Sequence, residues 1–559
     1  MKKMMLFFSF LFLYANLIAQ DQFTVNSSDD YPDIDLADKV CADKNGNCTL
    51  RAAIENANKY PDKTLVFFNI PGIGPHRIKL KKNLPKLTET IILDATTQKD
   101  YQPGCLQIIL DGAEVRGVTR KQRIENEDLT PTGFKLERNS SGSIIKGFVI
   151  GGFGKKIVDP KGRIIEFSMG CGININTENN LIESNFIGVE GDGKTRLPNI
   201  FGIYVISENN QIGSYNENER NVISGNWAGM LISSSKNKII GNYIGTDWTG
   251  KKETGQITGL DFSPNGNNNF ISSNLISANE YGVEIRSSNI TFINNIVGPD
   301  VNKNISLPVQ KKGIFIRASK ENIIGLPGQG NIIAGNETGV YVADRFNPKI
   351  NFRIFSKNNR ISGNFFGTDV EGKLDLGNGI AIHCVGSYSN IIEENIIANS
   401  DDTGILLEST QLNIVRYNFI GTDCSGNINL SNGVGIKMIA EDTICAYNTI
   451  HDNLFSGNTI AGIEIKNADF NCFYDNKFMS SSKPKASLSS SKYAISLENA
   501  NENLIGGATP DKKNIIKNYP VGIKIINTKP SDSLIPLISA LKQNNKFSAC
   551  EQSVLTTFK

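Results

Sequence analysis

A four-residue pattern, Gly-aliphatic-x-aliphatic, recurs along most of this chain. It begins at Gly172, Gly202, Gly229, Gly259, Gly282, Gly313, Gly339, Gly379, Gly404, Gly435, Gly462 and Gly522, and without its glycine at Ala494. The intervals run from 23 residues, Gly259 to Gly282, to 40, Gly339 to Gly379. A unit of this size, repeated about a dozen times, marks a solenoid whose repeats pack only against their neighbours.

The period inside the unit says which solenoid. Side chains alternate in each tetrad, as in Ile173-Asn174-Ile175 and Val340-Tyr341-Val342, and a period of two means strand. Asn-x-aliphatic-x-x-Asn or a close variant follows, as in Asn180 to Asn185, Asn221 to Asn226, Asn359 to Asn364 and Asn413 to Asn418. No unit has the 3.6-residue apolar spacing of a repeat helix, which disfavours leucine-rich and helical repeats. The fold expected is all-β: a right-handed parallel β-helix of about thirteen coils, aliphatic side chains stacked in columns inside. Corner Asn and Gly are expected to adopt left-handed backbone, and stacked Asn amides to hydrogen-bond up the column.

A second rhythm spans two coils. Gly245 to Gly250, Gly367 to Gly372 and Gly421 to Gly426 are near-copies of Gly-Thr-Asp-x-x-Gly, with looser forms at Gly188 to Gly193 and Gly298 to Lys303. Such loops should emerge on one side of the rod. The open ends of a β-helix need covers. Thr49 to Tyr60 reads as an amphipathic helix, stopped by Pro61, with Leu50, Ala53, Ile54 and Ala57 on one face. Ser533 to Lys542 reads as a short helix at the other end, and Glu114 to Asp128 as a solvated insertion.

Lys2 and Lys3 precede an almost wholly apolar run, Met4 to Ile18, and Ala19 offers a cleavage residue. This is an export signal pattern, and the run is shorter than a membrane span. No later stretch could span a bilayer, so a secreted or cell-surface protein is expected. Lys and Arg total 58 against 56 for Asp and Glu, which leaves no electrostatic footprint for nucleic acid. The expected organisation is a signal peptide over 1–20, a cap over 21–112, the β-helix over 113–528 and a C-terminal cap or tail over 529–559. A monomer is expected. Nine Cys in an exported chain make disulfides possible. Cys41 and Cys48 flank a polar hexapeptide and either close a local bridge or remain two thiols; Cys445 and Cys472 lie about one coil apart.

Cys41, followed by Cys48-Thr-Leu-Arg-Ala-Ala-Ile-Glu-Asn-Ala-Asn58, resembles the CSLREA-type N-terminal module of exported bacterial repeat proteins. The coils downstream resemble the parallel β-helix repeats that often follow it. The resemblance covers the cap over roughly 21–112 and most of the rest. It implies an exported, often adhesin-like β-helix, and it carries no catalytic residues to transfer.

Function is sought on the outward tetrad positions: Asp261, Glu284 with Arg286, Phe315 with Arg317, Tyr341, Ala381 with His383, and Leu406 with Glu408. Arg286 stacked on Arg317 calls for an anion, either Glu284 or the carboxylate of a uronate polymer. Phe315 and Tyr341 offer flat faces for sugar rings. Glu284, Arg286, Phe315, Arg317 and Tyr341 are therefore the candidate ligand-binding residues, and His383, Glu408 and Asp261 the candidate acid–base residues. The bland alternative is a solvated face with Arg286 paired to Glu284. The first functional reading is an extracellular β-helix that binds polysaccharide without catalysis; the alternative is a lyase, epimerase or glycosidase acting on an acidic glycan. Asp401-Asp402 is a weak match to paired glycosidase acids and reads as a corner. No cofactor is expected. Calcium is the one ion considered, at Asp247, Asp369 and Asp423, whose other reading is an Asx turn. The three histidines, His76, His383 and His451, have no zinc spacing.

Overall fold

A computed structural model describes residues 21–558, apart from 62, 118–119, 159–163, 305–306, 348, 350–351, 442, 481–490, 501 and 528–533. The signal expected over 1–20 lies outside the described residues. The rest winds as a right-handed parallel β-helix. Three parallel sheets of 16, 16 and 15 strands run the length of the rod, here called first, second and third in the order in which they begin. At about 4.8 Å per rung, sixteen rungs make a rod of roughly 70 Å. The thirteen tetrads are thirteen of the third sheet's strands. Thr132–Leu136 precedes them and Gln552–Phe558 follows.

The interior is a set of apolar columns. In the first sheet, Ile182, Ile212, Ile239, Ile271, Phe292, Ile324, Ile361 and Ile392 follow one another up the axis, all with no exposed surface. Near the C-terminal end, Phe455 and Phe478 stack with ring centroids 4.6 Å apart.

Two backbone devices hold the rungs together. The first is the tetrad glycine. A Cβ at Gly202, Gly229, Gly259 or Gly282 would lie 2.5 Å from the carbonyl oxygen of the equivalent residue one rung on. These glycines are required by close approach of backbone, not by a left-handed conformation. The second device is the asparagine ladder. Thirteen buried Asn, from Asn185 through Asn242, Asn295, Asn364 and Asn418 to Asn545, stand one per rung before the second-sheet strands. Each side-chain amide donates to the next Asn carbonyl at 2.8–3.2 Å, and most carbonyls also accept a backbone N–H from the rung before. The expected ladder is present, and corner Gly and Asn such as Gly188, Gly245, Asn179 and Asn209 take the expected left-handed backbone; before many ladder Asn the left-handed residue is of another type. Ser184, Ser273, Glu394, Tyr417 and Asp452 all take φ between 53° and 60°.

The long loops leave on one side, as expected. Each follows a second-sheet strand: Phe186–Ile187, Tyr243–Ile244, Ile296–Val297, Phe365–Phe366 and Phe419–Ile420. They fold over that sheet's outer surface, where Trp248 packs on Gly104 and Gly193.

The sheets run across the boundary placed at 112. Ile91–Asp94 pairs with Ile144–Lys146, and Ile108–Asp111 with Phe148–Gly151. Helix Leu50–Lys59 closes the first rung, its N-terminus capped by the Thr49 hydroxyl, which accepts from Ala52 N–H. Arg51 on that helix is 2 % exposed and forks onto Asp30. Cys41 and Cys48 are disulfide-bonded, while Cys445 and Cys472 remain free thiols. At the far end, helix Leu534–Asn544 packs Leu541 into the core beyond the last first-sheet strand. No helix among the described residues is long and apolar enough to cross a membrane.

Asn395 tests the ladder. It has no exposed surface and donates to Asn418, Ile361 and Glu393. Asn395→Ala should lower stability by about 1–3 kcal/mol, the cost of orphaning buried polar groups. Asn399→Ala, outside the ladder, should cost less. Equal denaturation midpoints for the two variants would rule out the ladder as a main source of stability.

Candidate functional site

Strand register builds the site. One outward column of the third sheet runs through Tyr204, Leu231, Asp261, Glu284, Phe315, Tyr341, His383, Leu406 and Lys437. A second, two residues further along each strand, carries Arg317, Ala343, Val385 and Glu408, with Arg286 following Ile285 beside Ile316. The outward residues expected from the tetrads therefore share one face, with one correction. Val340 pairs with Ile382, so Ala381, not Gly379, occupies the glycine column. Ala381 is fully buried and points inward. The extra length between these rungs is an antiparallel hairpin, Arg345–Asn347 with Phe352–Ile354, while the tetrad keeps its place: Ala381 follows Asn378 by three residues as Gly339 follows Asn336.

The charges on this face are unevenly paired. Arg286 bonds Asp261 at 2.5 Å, a rung away, and not mainly Glu284 as the solvated-face reading had it. Glu284 lies 3.9 Å from each of Arg286 and Arg317. Arg286 and Arg317, with Arg345 of the hairpin, line one cavity of about 250 Å³. Burial, and then Asp261, raise the Glu284 carboxyl above its ordinary value despite both arginines.

Next to the arginines stands an aromatic stack. Phe315 and Tyr341 have ring centroids 5.2 Å apart, and Tyr341 and His383 5.0 Å. Lys312 Nζ sits 3.8 Å from the Tyr341 ring centre and 4.2 Å from that of Phe315. Lys312 escaped the sequence reading because it precedes the tetrad glycine, a position outside the outward pair considered there. Burial, and then the neighbouring Arg317, hold its ammonium below the ordinary lysine value. Burial raises the Tyr341 phenol. His383 Nε2 lies 2.9 Å from Glu408 Oε2. With Nε2–H donating to that carboxylate, Nδ1 keeps its lone pair. Burial lowers the His383 imidazole below its ordinary value, although Glu408 pulls the other way.

Other candidates are not drawn into this face. Asp401 and Asp402 are exposed at a bulge, where Asn378 pairs with Ser400 and Ile380 with Thr403. Asp247 accepts from Lys251 N–H, Lys252 N–H and the Thr249 hydroxyl; Asp369 from Lys373 and Leu374 N–H; Asp423 from Asn427 and Ile428 N–H and the Ser425 hydroxyl. Each shapes its own loop.

The fold and this face define a parallel β-helix with a basic and aromatic lateral strip. No family model matches the chain, and no curated protein does. Among solved structures it is similar to an alginate lyase from Paenibacillus sp. (13% identity, 58% of this chain and 93% of that one, TM-score 0.32). It is also similar to the A-module of an Azotobacter vinelandii mannuronan C-5 epimerase (12%, 86% and 98%, 0.34) and to a DFA-IIIase from Arthrobacter chlorophenolicus (13%, 94% and 98%, 0.29). At these TM-scores no residue here takes a role from them.

With only three histidines in the chain, ring resonances can be followed singly by NMR. His383 should titrate below its ordinary 6.5. In Glu408→Gln it should fall further, because the carboxylate that raises it is gone. An upward move in that variant would exclude the proposed pairing.

Proposed function

We propose that this chain is an exported enzyme of the lyase or epimerase type, acting on an acidic polysaccharide laid along the outer face of the third sheet. One observation carries the reading: Arg286 and Arg317, Lys312, Tyr341 and the His383–Glu408 pair stand on neighbouring rungs. Removal of the C5 proton of a uronate requires the adjacent carboxylate to be neutralised, a base on one side of the ring and an acid for the departing or reprotonated centre.

Each requirement has a candidate. Arg317, whose nearest acid is 3.9 Å away, is the freer arginine for the uronate carboxylate. His383 is held neutral by burial and is the base, its orientation set by Glu408. Tyr341, kept protonated, donates to the leaving C4 oxygen in elimination, on the same side of the ring as His383. Phe315 stacks on a sugar ring, and Lys312 adds positive charge beside the carboxylate. Asp261 is engaged by Arg286, which suits it to fixing that arginine better than to proton transfer. The sequence left binding without turnover as the first reading. Convergence of these groups within a few rungs favours the catalytic one, and the export signal pattern supports a substrate outside the cell.

The test is a panel of alginate, pectate and glycosaminoglycans, assayed for retention, for ultraviolet absorbance of a new C4–C5 double bond, and for solvent deuterium entering C5. One member should be retained and should give one of the two products. The double variant Arg286→Glu/Arg317→Glu should abolish retention, and unchanged retention would sink the assignment. Retention with neither product would leave a binding protein.

A further inference from the structure

The outer face of the third sheet holds a second cavity, nearer the N-terminal end, of about 820 Å³. Phe201 and Tyr204 line it, with ring centroids 6.4 Å apart. So do Asn174 and Asn176, together with Ile124 of the segment inserted before the first tetrad. The ladder asparagines use their amides fully. Asn174 Oδ1 and Asn176 Oδ1, by contrast, are shielded from solvent and have no hydrogen-bond partner. A buried carbonyl oxygen without a donor is unfavourable, and rotation of the side-chain amide would present it to a sugar hydroxyl in the cavity.

The charge here is opposite to that of the arginine pocket. Lys135, the lining cation among the described residues, is already held by Asp128 at 3.1 Å and Glu137 at 2.7 Å. Glu125, Glu127 and Asp128 also face the cavity, so a uronate carboxylate would meet repulsion. Flat rings, amide oxygens and no unpaired lining cation among the described residues suit an uncharged sugar.

We infer that this cavity is a subsite for an uncharged sugar unit of the same polysaccharide whose uronate is held at Arg286 and Arg317. The inference rests on the function proposed above and narrows its substrate to a heteropolysaccharide that mixes uronate with neutral or N-acetylated sugars. Register supports one chain reaching both places. Tyr204 and Phe315 stand in the same column four rungs apart, about 19 Å, a span of a few sugar rings.

Calorimetry on the full chain tests this with three probes: polygalacturonate, hyaluronan, which alternates uronate with N-acetylglucosamine, and an uncharged N-acetylglucosamine oligomer. Hyaluronan should bind about tenfold tighter than polygalacturonate, the worth of one good ring contact. Tyr204→Ala should remove that margin and leave polygalacturonate unchanged. Asn174→Leu, which keeps the side-chain branching without the amide, should do the same, with melting curves confirming that both variants are folded. The Arg286→Glu/Arg317→Glu protein should lose polygalacturonate yet still bind the uncharged oligomer through Tyr204. Hyaluronan affinity unaltered in both Tyr204→Ala and Asn174→Leu would overturn the subsite. Unaltered polygalacturonate binding by the arginine variant, with the Tyr204 dependence intact, would instead overturn the uronate site and leave this cavity an independent sugar site.

Discussion

Every coil of this protein borrows its backbone partners from the coils on either side. Strand N–H groups find acceptors one rung away, and the tetrad glycines let successive backbones approach so closely that a Cβ would meet a carbonyl oxygen. The asparagine ladders repeat the arrangement with side chains, satisfying at each corner the amides that a bend leaves unpaired. A slip of one residue in any rung would turn its apolar column outward and break the ladder together. Register is therefore fixed at several points per coil, and the outward columns follow as a by-product of that rigidity.

That order explains how much could be read from the sequence. Gly-aliphatic-x-aliphatic gave the third sheet, Asn-x-aliphatic-x-x-Asn gave the other two, and the Gly-Thr-Asp loops gave the side from which they leave. Less was legible wherever the chain departs from its own period. Gly379 matches the tetrad by composition, but strand pairing puts Ala381 in the glycine's place. Residues 21–112 lack the motif because their strands use other residues, yet they pair into the same sheets. Lys312 carries no pattern of its own; only the rings of Phe315 and Tyr341 around its ammonium mark it out. Asn174 stands at an outward tetrad position, but nothing in the sequence marks its carbonyl or that of Asn176 as lacking a donor.

The lateral face holds its charges partly out of water. Between Asp261 and Glu408 they are half-buried, and burial is the leading influence on Glu284, Lys312, Tyr341 and His383 alike. Each shift favours the neutral form, as a low-dielectric surface demands. Neutral base and neutral acid next to permanently charged guanidinium groups is the combination that proton transfer beside a carboxylate needs.

The left-handed residue ahead of many corner asparagines has one more consequence. Most proteins reserve that conformation for glycine or asparagine, yet here Leu412, Tyr417, Tyr447 and Phe470 adopt it. Where that turn forms, the preceding position varies in chemistry while its geometry stays constant. The corners thus act as a row of interchangeable sockets at uniform spacing, on which a lineage of such rods could rewrite its surface, ring by ring, without touching the scaffold.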